Sequence, residues 1–364
     1  MRPSPCVGVK TSADDMHDSS EDLSTWGRLA DVLLICQQQI EGGYEDADNE
    51  ANHCEQQHRN LTIVVAVAGS AAVIAGIFRS FTPMLLLGGV VELIAISALT
   101  AGIWSRRQPA WFLARHRAER CRFLKFRFIV DPALWTGIHT QRAERIDKLP
   151  SEMEEIRQLD LPELQTWAEK GMLPHSPVRG ASYTAAADDL RQLIDYYVRK
   201  RLCNQMNWFN KRVQQFSRRD QALKRLPPSL FFGSIFAALL CFLYDGLVNL
   251  TGAPEQISLL GLSIGVIVAF SLVGAILAVL GGGLNKFRSA FELARNTSRY
   301  TAALEGLKPS YDALKTELKN LDATGGGRAQ TDASAIFHHM WRSEQIMEAE
   351  HREWLRLMIH AGWY

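Results

Sequence analysis

One acidic residue stands alone inside a long apolar stretch. Glu92 is the single charged residue between Met84 and Trp104, and it lies roughly 12 Å along that stretch if the residues are helical. An ionisable group at that depth in a bilayer is costly and usually faces a bundle interior or a water-filled cavity. Glu92 is therefore a candidate pore carboxylate. The alternative is a helix that begins near Gly88, which would leave Glu92 close to the membrane interface.

Several short sequences match parts of catalytic motifs but lack the context that those motifs need. Gly261–Gly265 (GLSIG) fits G-x-S-x-G around Ser263, yet a nucleophile elbow needs a strand followed by a helix, whereas this stretch lies inside an apolar run. Gly281–Lys286 (GGGLNK) lacks the spacing of a phosphate loop. The pair His338–His339 follows no zinc-ligand spacing. We expect no catalytic, cofactor-binding or metal-binding residues, and no enzyme.

Four apolar windows dominate the sequence. They cover residues 61–78, 84–104, 229–247 and 258–284, and each contains at most one charged residue. A membrane-spanning helix needs about 20 mostly apolar residues, whereas a buried helix of a soluble protein is shorter and keeps one polar face. The chain is predicted to be an all-α membrane protein with four transmembrane helices, arranged as two hairpins with long cytosolic helices before and after each.

Small residues four positions apart favour close packing of helices in membranes. Such faces are predicted in the first window at Ala68, Ala72 and Gly76, and in the fourth at Gly261, Gly265 and Ala269.

Basic residues flank the windows on one side. Residues 105–127 contain eight Lys or Arg, and residues 199–225 contain nine, while the connections 79–83 and 248–257 contain one between them. Because Lys and Arg near span ends stay on the cytoplasmic side, both termini and the middle of the chain are predicted to be cytoplasmic. A net charge of +1 and the lack of a nucleic-acid-binding motif argue against DNA or RNA as a partner.

The first basic segment has an amphipathic pattern. An apolar stripe at helical spacing runs along Trp111, Ala114, Ala118, Cys121, Leu124 and Phe128. The arginines on the other faces of this helix, and those of the second basic segment, are predicted to contact lipid headgroups or a cytosolic partner. These candidates are Arg106, Arg107, Arg115, Arg117, Arg120, Arg201, Arg212, Arg218 and Arg219.

The rest of the chain divides around the windows. The six cysteines are far apart and form no CxxC pair, which favours free thiols in a reducing compartment over a disulfide framework. A seam of Ile336, Met340, Met347, Trp354 and Met358 predicts a last helix packed on a partner or on its own body. The predicted segments are a disordered acidic N-terminus (1–22), a first two-span unit (23–130), a cytosolic connector (131–184), a second two-span unit (185–322), a flexible link (323–333) and a C-terminal amphipathic helix (334–364).

The two halves of the chain have a similar plan. Each has a long helix, a hairpin of apolar windows and then a helix that starts with aromatic and basic residues. Phe112–Arg120 can be aligned with Glu292–Tyr300, and Cys36 can be aligned with Cys203. The order of elements, more than this thin identity, favours a tandem repeat of a two-span unit.

Two loose motifs resemble those of the SLATT group of bacterial membrane effectors, which are associated with SLOG and nucleotide-cyclase-like sensor proteins. Trp111, Arg115, Glu119 and Arg120 fit W-x3-R-x3-E-R. Residues 197–208 fit Y-x3-R-x3-Q-x2-W, and residues 344–358 are similar to the closing helix of such proteins. The resemblance covers most of residues 25–362, but the chain lacks an attached sensor domain, so any sensor would be a separate partner.

The resemblance implies an oligomeric effector of the bacterial inner membrane that forms a pore or disrupts the membrane in antiphage defence. A nucleotide second messenger or a separate cytosolic sensor protein would trigger it, and the lipid bilayer and further copies of the chain would be its partners. The alternative is a non-conducting scaffold that recruits a cytosolic defence complex. A transporter is disfavoured, because both halves run in the same direction and no paired charges occur near the midplane.

Overall fold

The computed structural model is mostly helical. It describes residues 6, 15–18, 23, 27–77, 97, 107–170, 183–251, 256–259, 262–290, 293–323 and 330–360. The helices are α1 (Gly27–Cys36), α2 (Gly42–Ile77), α3 (Arg107–Ile129), α4 (His139–Gln158), α5 (Leu161–Lys170), α6 (Ala187–Tyr196), α7 (Cys203–Thr251), α8 (Val266–Ala290), α9 (Leu293–Ala323) and α10 (Ser334–His360). Two π-helical segments are π1 (Gln37–Glu41) and π2 (Tyr197–Leu202), and the strands are β1 (Thr184–Ala186), β2 (Gln256–Leu259), β3 (Leu262–Gly265) and β4 (Gln330–Asp332).

The chain divides into two compact units. The first, called the helical unit, comprises Met1–Leu61, Gly102–Arg212 and Arg299–Tyr364. The second, called the apolar unit, comprises Thr62–Ala101 and Val213–Ser298. Each unit therefore draws on segments from both halves of the sequence.

The two halves begin with the same order of elements. Helix α1 is followed by π1 and α2, and helix α6 is followed by π2 and α7; α1 and α6 are both ten residues long. Arg28 of α1 forms an ion pair of 3.2 Å with Asp189 of α6. The structural correspondence differs from the alignment of Cys36 with Cys203, because Cys36 ends α1 whereas Cys203 begins α7. Tyr196, the last residue of α6, stands in the place of Cys36.

Helix α3 packs against α1, π1, α4, α5 and α10 in the helical unit. Its predicted apolar stripe is buried from Ala114 to Phe128. The basic residues on its remaining faces do not all point outward, however, because Lys125 is 2% exposed and other cations of α3 form internal ion pairs. A basic, amphipathic sequence has thus become a helix surrounded by other helices.

The C-terminal seam packs on the body of the same chain. Ile336, Met340 and Met347 are buried, and Trp354 and Met358 lie against a small apolar cluster built on Phe112, Leu164, Ala168 and Leu355. The last helix was predicted to pack on a partner or on its own chain, and the structure shows packing on its own chain.

Two segments that were predicted to be irregular contain ordered residues in the described part of the chain. Cys6, Asp15 and Met16 are at most 3% exposed, although an acidic N-terminus was predicted to be disordered. Residues 330–332, part of the predicted flexible link, form β4 and pair antiparallel with β1, Thr184 opposite Asp332. Charge pairing explains the first difference and a local two-stranded sheet explains the second.

One helical stretch among the described residues, Ala187–Tyr244, is long and apolar enough to cross a membrane by length and composition. Only 6% of its most apolar window is buried. Phe232, Phe242 and Leu250 are 69%, 76% and 86% exposed. A shorter apolar helix covers Val273–Gly282. Large apolar side chains left outside a folded core mark a surface that meets lipid or another protein.

The predicted fourth helix starts later than residue 258. Leu262–Gly265 is a strand that pairs antiparallel with β2, and α8 starts at Val266. Gly265 therefore shares no helix with Ala269, so the predicted packing face is wrong there; Gly261 lies outside the described residues. The apolar unit instead brings α7 and α8 together at Gly274, where a Cβ would lie 3.5 Å from the Ala237 Cβ.

The GLSIG sequence also has a different local context from the predicted one. Ser263 lies within β3, directly before α8, so the stretch is a strand followed by a helix. Ser263 is paired with Ser258 inside a two-stranded hairpin. It does not occupy the sharp strand-to-helix turn that a nucleophile elbow requires.

Adjacent glycines at the start of α2 provide a matched test of packing. A Cβ at Gly42 would meet nothing within 4 Å, whereas one at Gly43 would lie 2.6 Å from Met153 Cε. Alanine lowers the entropy of the unfolded chain and favours helix by about 0.5–1 kcal/mol over glycine. We expect Gly42→Ala to raise the free energy of unfolding by that amount. Gly43→Ala should not raise it, because Met153 must move to make room for the new Cβ. Denaturant titration of both variants measures these changes. Equal stabilisation of the two variants would contradict the contact between position 43 and Met153.

Candidate functional site

The helical unit contains a buried group of four cations. Arg122 and Lys125 come from α3, and Lys200 and Arg201 come from π2. We call these four residues the cationic cluster. Lys125, Lys200 and Arg201 are 2%, 4% and 1% exposed, so each needs a partner that replaces water.

Residues 15–18, called the N-terminal segment, supply two of these partners. Asp15 Oδ1 lies 3.0 Å from Arg122 Nε, and Asp15 Oδ2 lies 2.9 Å from an Arg201 nitrogen. Asp18 accepts from Lys125 Nζ at 2.9 Å and lies 3.3 Å from Lys200 Nζ. Backbone carbonyls contribute as well, since Lys125 donates to Met16 at 2.6 Å. The segment is therefore held by its side chains and by its main chain.

Two carboxylates of the helical body complete the charge balance. Glu344 of α10 is fully buried and holds Arg201 in a two-pronged pair, 3.1 Å from Nε and 2.9 Å from a terminal nitrogen. Glu119 of α3 accepts from Arg122 at 2.7 Å. The Arg201 guanidinium also lies over the Phe126 ring, 4.5 Å from its centroid. Two-pronged pairing and ring stacking are geometries that arginine supports and lysine does not.

The electrostatics of the site follow from this pairing. Burial alone would raise the pKa of Asp15, but Arg122 and Arg201 outweigh it and hold that pKa below its ordinary value. Burial would lower the pKa of Arg201, whereas Glu344 and Asp15 raise it. Burial and the neighbouring Asp18 raise the pKa of Tyr196, whose hydroxyl donates to Asp18. All three groups thus keep their ordinary charge state around neutral pH.

Half of the neutralising charge belongs to the N-terminal segment. The cluster carries four positive charges against Asp15, Asp18, Glu119 and Glu344. Without Asp15 and Asp18, two positive charges would remain uncompensated in a mostly dry crevice. Such a crevice would attract an anion, because charge-assisted hydrogen bonds are strong where little water is present to compete with them.

A disulfide adds a second attachment of the N-terminal region. Cys6 is joined to Cys203, the first residue of α7, with a Cα–Cα distance of 5.6 Å. The prediction that the cysteines form no disulfide is therefore wrong for this pair. Cys36 is a buried free thiol, and burial raises its pKa to about 12.

A second polar group is buried near Trp167 and Trp354. His116 Nδ1 lies 3.1 Å from His351 Nε2, and the two rings are stacked within 6°. Trp167 lies 4.6 Å from the His116 ring, and Trp354 stacks on His351 at 5.6 Å. Burial lowers the pKa of His351 to about 4 and lowers that of His116 well below its usual value. Both imidazoles are therefore neutral at pH 7.

The predicted contact arginines have different environments. Arg201 is the clearest correction, since it is an internal ion-pair partner and does not contact lipid. Arg115 is partly buried and pairs with Asp48 and Glu119, and Arg117 donates to the Leu159 carbonyl. Burial lowers the pKa of Arg120, which lies over Trp167. Arg212, Arg218 and Arg219 are exposed on α7, as a surface role requires.

Other predicted residues cannot be placed at side-chain level. Glu92 and Arg106 lie outside the described residues. Arg107 begins α3, and Ala68, Ala72 and Gly76 lie in the last turns of α2. The proposed roles of these residues stay predictions.

Sequence reasoning missed the acidic partners of the cluster, but the sequence contained a signal for the cations. Leu190, Ile194 and Tyr197 form one apolar helical face, and Arg201 occupies its next position. Lys125 likewise follows Cys121 by four positions on the stripe of α3. A charged residue on a buried face signals an internal partner, because an unpaired buried charge is too costly.

Comparison with known proteins identifies no relative of this chain: no family model matches it, and neither the curated proteins nor the solved structures give a significant match.

Proposed function

We propose that the chain is a membrane effector that is held inactive by its own N-terminal segment. In this proposal the apolar unit acts in the bilayer of the bacterial inner membrane as a pore or disrupting oligomer. The helical unit is the receiver of the signal, on the cytoplasmic side. The observation that carries the proposal is the charge balance of the cationic cluster, two of whose four carboxylates come from the N-terminal segment.

The position of the cluster supports a coupling to the bilayer. Lys200 and Arg201 lie in π2, which continues directly into α7. Helix α7 contains the exposed apolar window of Ala187–Tyr244. Short π-helical segments frequently occur at functional sites, where they shift the phase of a helix. A change of the partners of Arg201 would therefore act on the first turn of a helix that ends in the apolar unit.

The trigger in this proposal is an anion that replaces Asp15 and Asp18. A phosphate-bearing nucleotide signal has the required charge, and so does an acidic segment of a separate sensor protein. The resemblance to the SLATT group and the distribution of apolar windows agree with this proposal. Apart from residue 61 and residues 102–104, all four predicted windows fall in the residue ranges of the apolar unit.

Charge removal at the N-terminal segment tests the proposal. Liposomes loaded with potassium would carry the wild type, Asp15→Asn/Asp18→Asn, or the control Asp46→Asn/Glu50→Gln, which removes the same charge from exposed positions of α2. We expect faster potassium efflux from the first variant alone, because its segment no longer neutralises the cluster. Circular dichroism confirms that both variants are folded.

Glu92→Gln, combined with the activating pair, separates a pore from a general membrane lesion. A change in ion selectivity or conductance would place Glu92 on the ion path. If no variant causes potassium efflux, the effector proposal is contradicted. That result would favour the alternative, a non-conducting scaffold that recruits a cytosolic complex.

A further inference from the structure

The histidine of the N-terminal segment faces two carboxylates of the helical body. His17 Nδ1 contacts Glu41 Oε1 and lies 3.8 Å from Glu45 Oε1. One ligand atom from each of the three side chains lies within 4.8 Å of the others. An imidazole nitrogen and two carboxylate oxygens are ligands that Zn²⁺ binds in proteins.

Local structure brings these side chains together. Glu41 ends π1 and Glu45 follows four positions later in α2, so that both carboxylates project from one face. The His17 ring packs edge-on against Tyr44, with 6.3 Å between the ring centroids. The His17 carbonyl accepts from Lys200 Nζ at 3.0 Å. The backbone and the ring of His17 are therefore both positioned by neighbouring elements.

Among the described residues, no lysine or arginine balances the charge of the two carboxylates in this group. Asp15, Asp18 and Glu119 each pair with a lysine or arginine. In the described part of the chain, neither Glu41 nor Glu45 forms an ion pair with a lysine or arginine, although the Glu41 side chain is only 15% exposed. A neutral imidazole supplies no positive charge to these two carboxylates, whereas a divalent cation bound to all three side chains would supply it.

We propose that His17, Glu41 and Glu45 form a binding site for a divalent transition-metal cation of the Zn²⁺ type. Zn²⁺ bonds of about 2.0–2.2 Å place tetrahedral ligand atoms roughly 3.4 Å apart, so a small side-chain movement brings the three atoms into range. Imidazole ligation favours such a cation over Mg²⁺ or Ca²⁺, which prefer oxygen ligands. Water completes the coordination, because three protein ligands leave a position open.

The bound cation would cross-link the N-terminal segment to α2. His17 stands between Asp15 and Asp18 in sequence, so that fixing His17 also keeps both carboxylates in the cationic cluster. This regulatory consequence rests on the proposed function, whereas metal binding itself does not.

Calorimetric titration of the full chain in detergent with Zn²⁺ tests the site. Wild type would be compared with His17→Gln and with Glu45→Gln. The control is His53→Gln, which replaces an exposed histidine of α2, the helix that also contains Glu45. We expect one binding event that His17→Gln and Glu45→Gln weaken more than tenfold, since even the outer partners of metal ligands contribute about 10–100-fold. His53→Gln should bind as the wild type does.

Glu45→Gln keeps the test independent of folding, because the Glu45 side chain is 55% exposed. Zn²⁺ binding that is unchanged in both His17→Gln and Glu45→Gln would overturn the site, and so would an equal loss in the His53→Gln control. If Zn²⁺ binds as expected while Asp15→Asn/Asp18→Asn causes no efflux, the metal site stands and the proposed function fails. If efflux responds but all four proteins bind Zn²⁺ equally, the metal site fails and the function stands.

Discussion

Replacing Arg201 with methionine should lower the free energy of unfolding by about 3–5 kcal/mol, the usual cost of leaving a buried charge without its partner. Glu344 is fully buried and Asp15 is 3% exposed, so neither carboxylate can recover its lost partner from water. The lost stacking on Phe126 adds to this cost. Denaturant titration in detergent micelles, followed by tryptophan fluorescence, measures the change.

Two further variants separate charge from packing at Arg201. Arg219→Met is the surface control, because Arg219 is exposed on α7, and it should change stability by less than about 0.5 kcal/mol. Arg201→Met/Glu344→Leu removes both members of the buried ion pair. This variant should be more stable than Arg201→Met alone, since a buried pair can often be replaced by apolar residues. If Arg201→Met is as stable as the Arg219→Met control, the internal ion pair is contradicted.

Acidification should destabilise the helical unit through the stacked histidines. The pKa of His351 is about 4 in the folded protein and about 6.5 in an unfolded chain. Between these values the unfolded state binds more protons, so the stability is fully present above about pH 6.5 and is lost as the pH falls. At pH 5 the loss attributable to His351 is about 2 kcal/mol.

Other groups that titrate near this pair affect the test. Glu119, Arg115, Arg120 and Arg122 influence one or both histidines. Glu350 acts in the opposite direction, because burial raises its pKa to about 7 and its protonation in the folded state stabilises the protein as the pH falls. The comparison of variants, which share Glu350, removes that contribution.

The measurement is stability at pH 7.5 and pH 5 for the wild type, His351→Gln and the exposed control His139→Gln. His351→Gln should lose about 2 kcal/mol less than the wild type over this range, and His139→Gln should follow the wild type. Identical losses in all three proteins would show that the pair does not bind protons preferentially on unfolding.

Helix content and apolar faces could be predicted from the sequence, because both depend on nearby residues. The stripe from Ala114 to Phe128 and the seam from Ile336 to Met347 are buried as their periodicity indicates. The two halves also share a helix–π–helix order, which was not predicted, and the tandem repeat of a two-span unit stays a prediction. The four transmembrane helices stay a prediction, since the described residues contain one helical stretch that is both long and apolar enough to span a membrane.

The candidate site could not be predicted, because its charges are neutralised over long distances in the sequence. Asp15 and Glu344 meet at Arg201 from opposite ends of the chain, at sequence separations of 186 and 143 residues from Arg201. Local spacing shows that Arg201 interrupts an apolar face, but it does not show which carboxylate pairs with Arg201. The same limitation applies to His17, whose partners on π1 and α2 lie 24 residues or more away.

The arrangement of the helical unit also determines the order in which the protein can be assembled. Its three segments are separated in the chain by the two segments of the apolar unit. Arg201 receives Glu344 only after the last apolar window has been synthesised, since α10 follows that window. All four apolar windows therefore leave the ribosome before Glu344 can reach Arg201, so the charge balance of the cationic cluster is completed last. The partners of Asp15 and Asp18 in the cationic cluster all lie at or before Arg201, so the N-terminal segment can bind them before the third and fourth apolar windows are made.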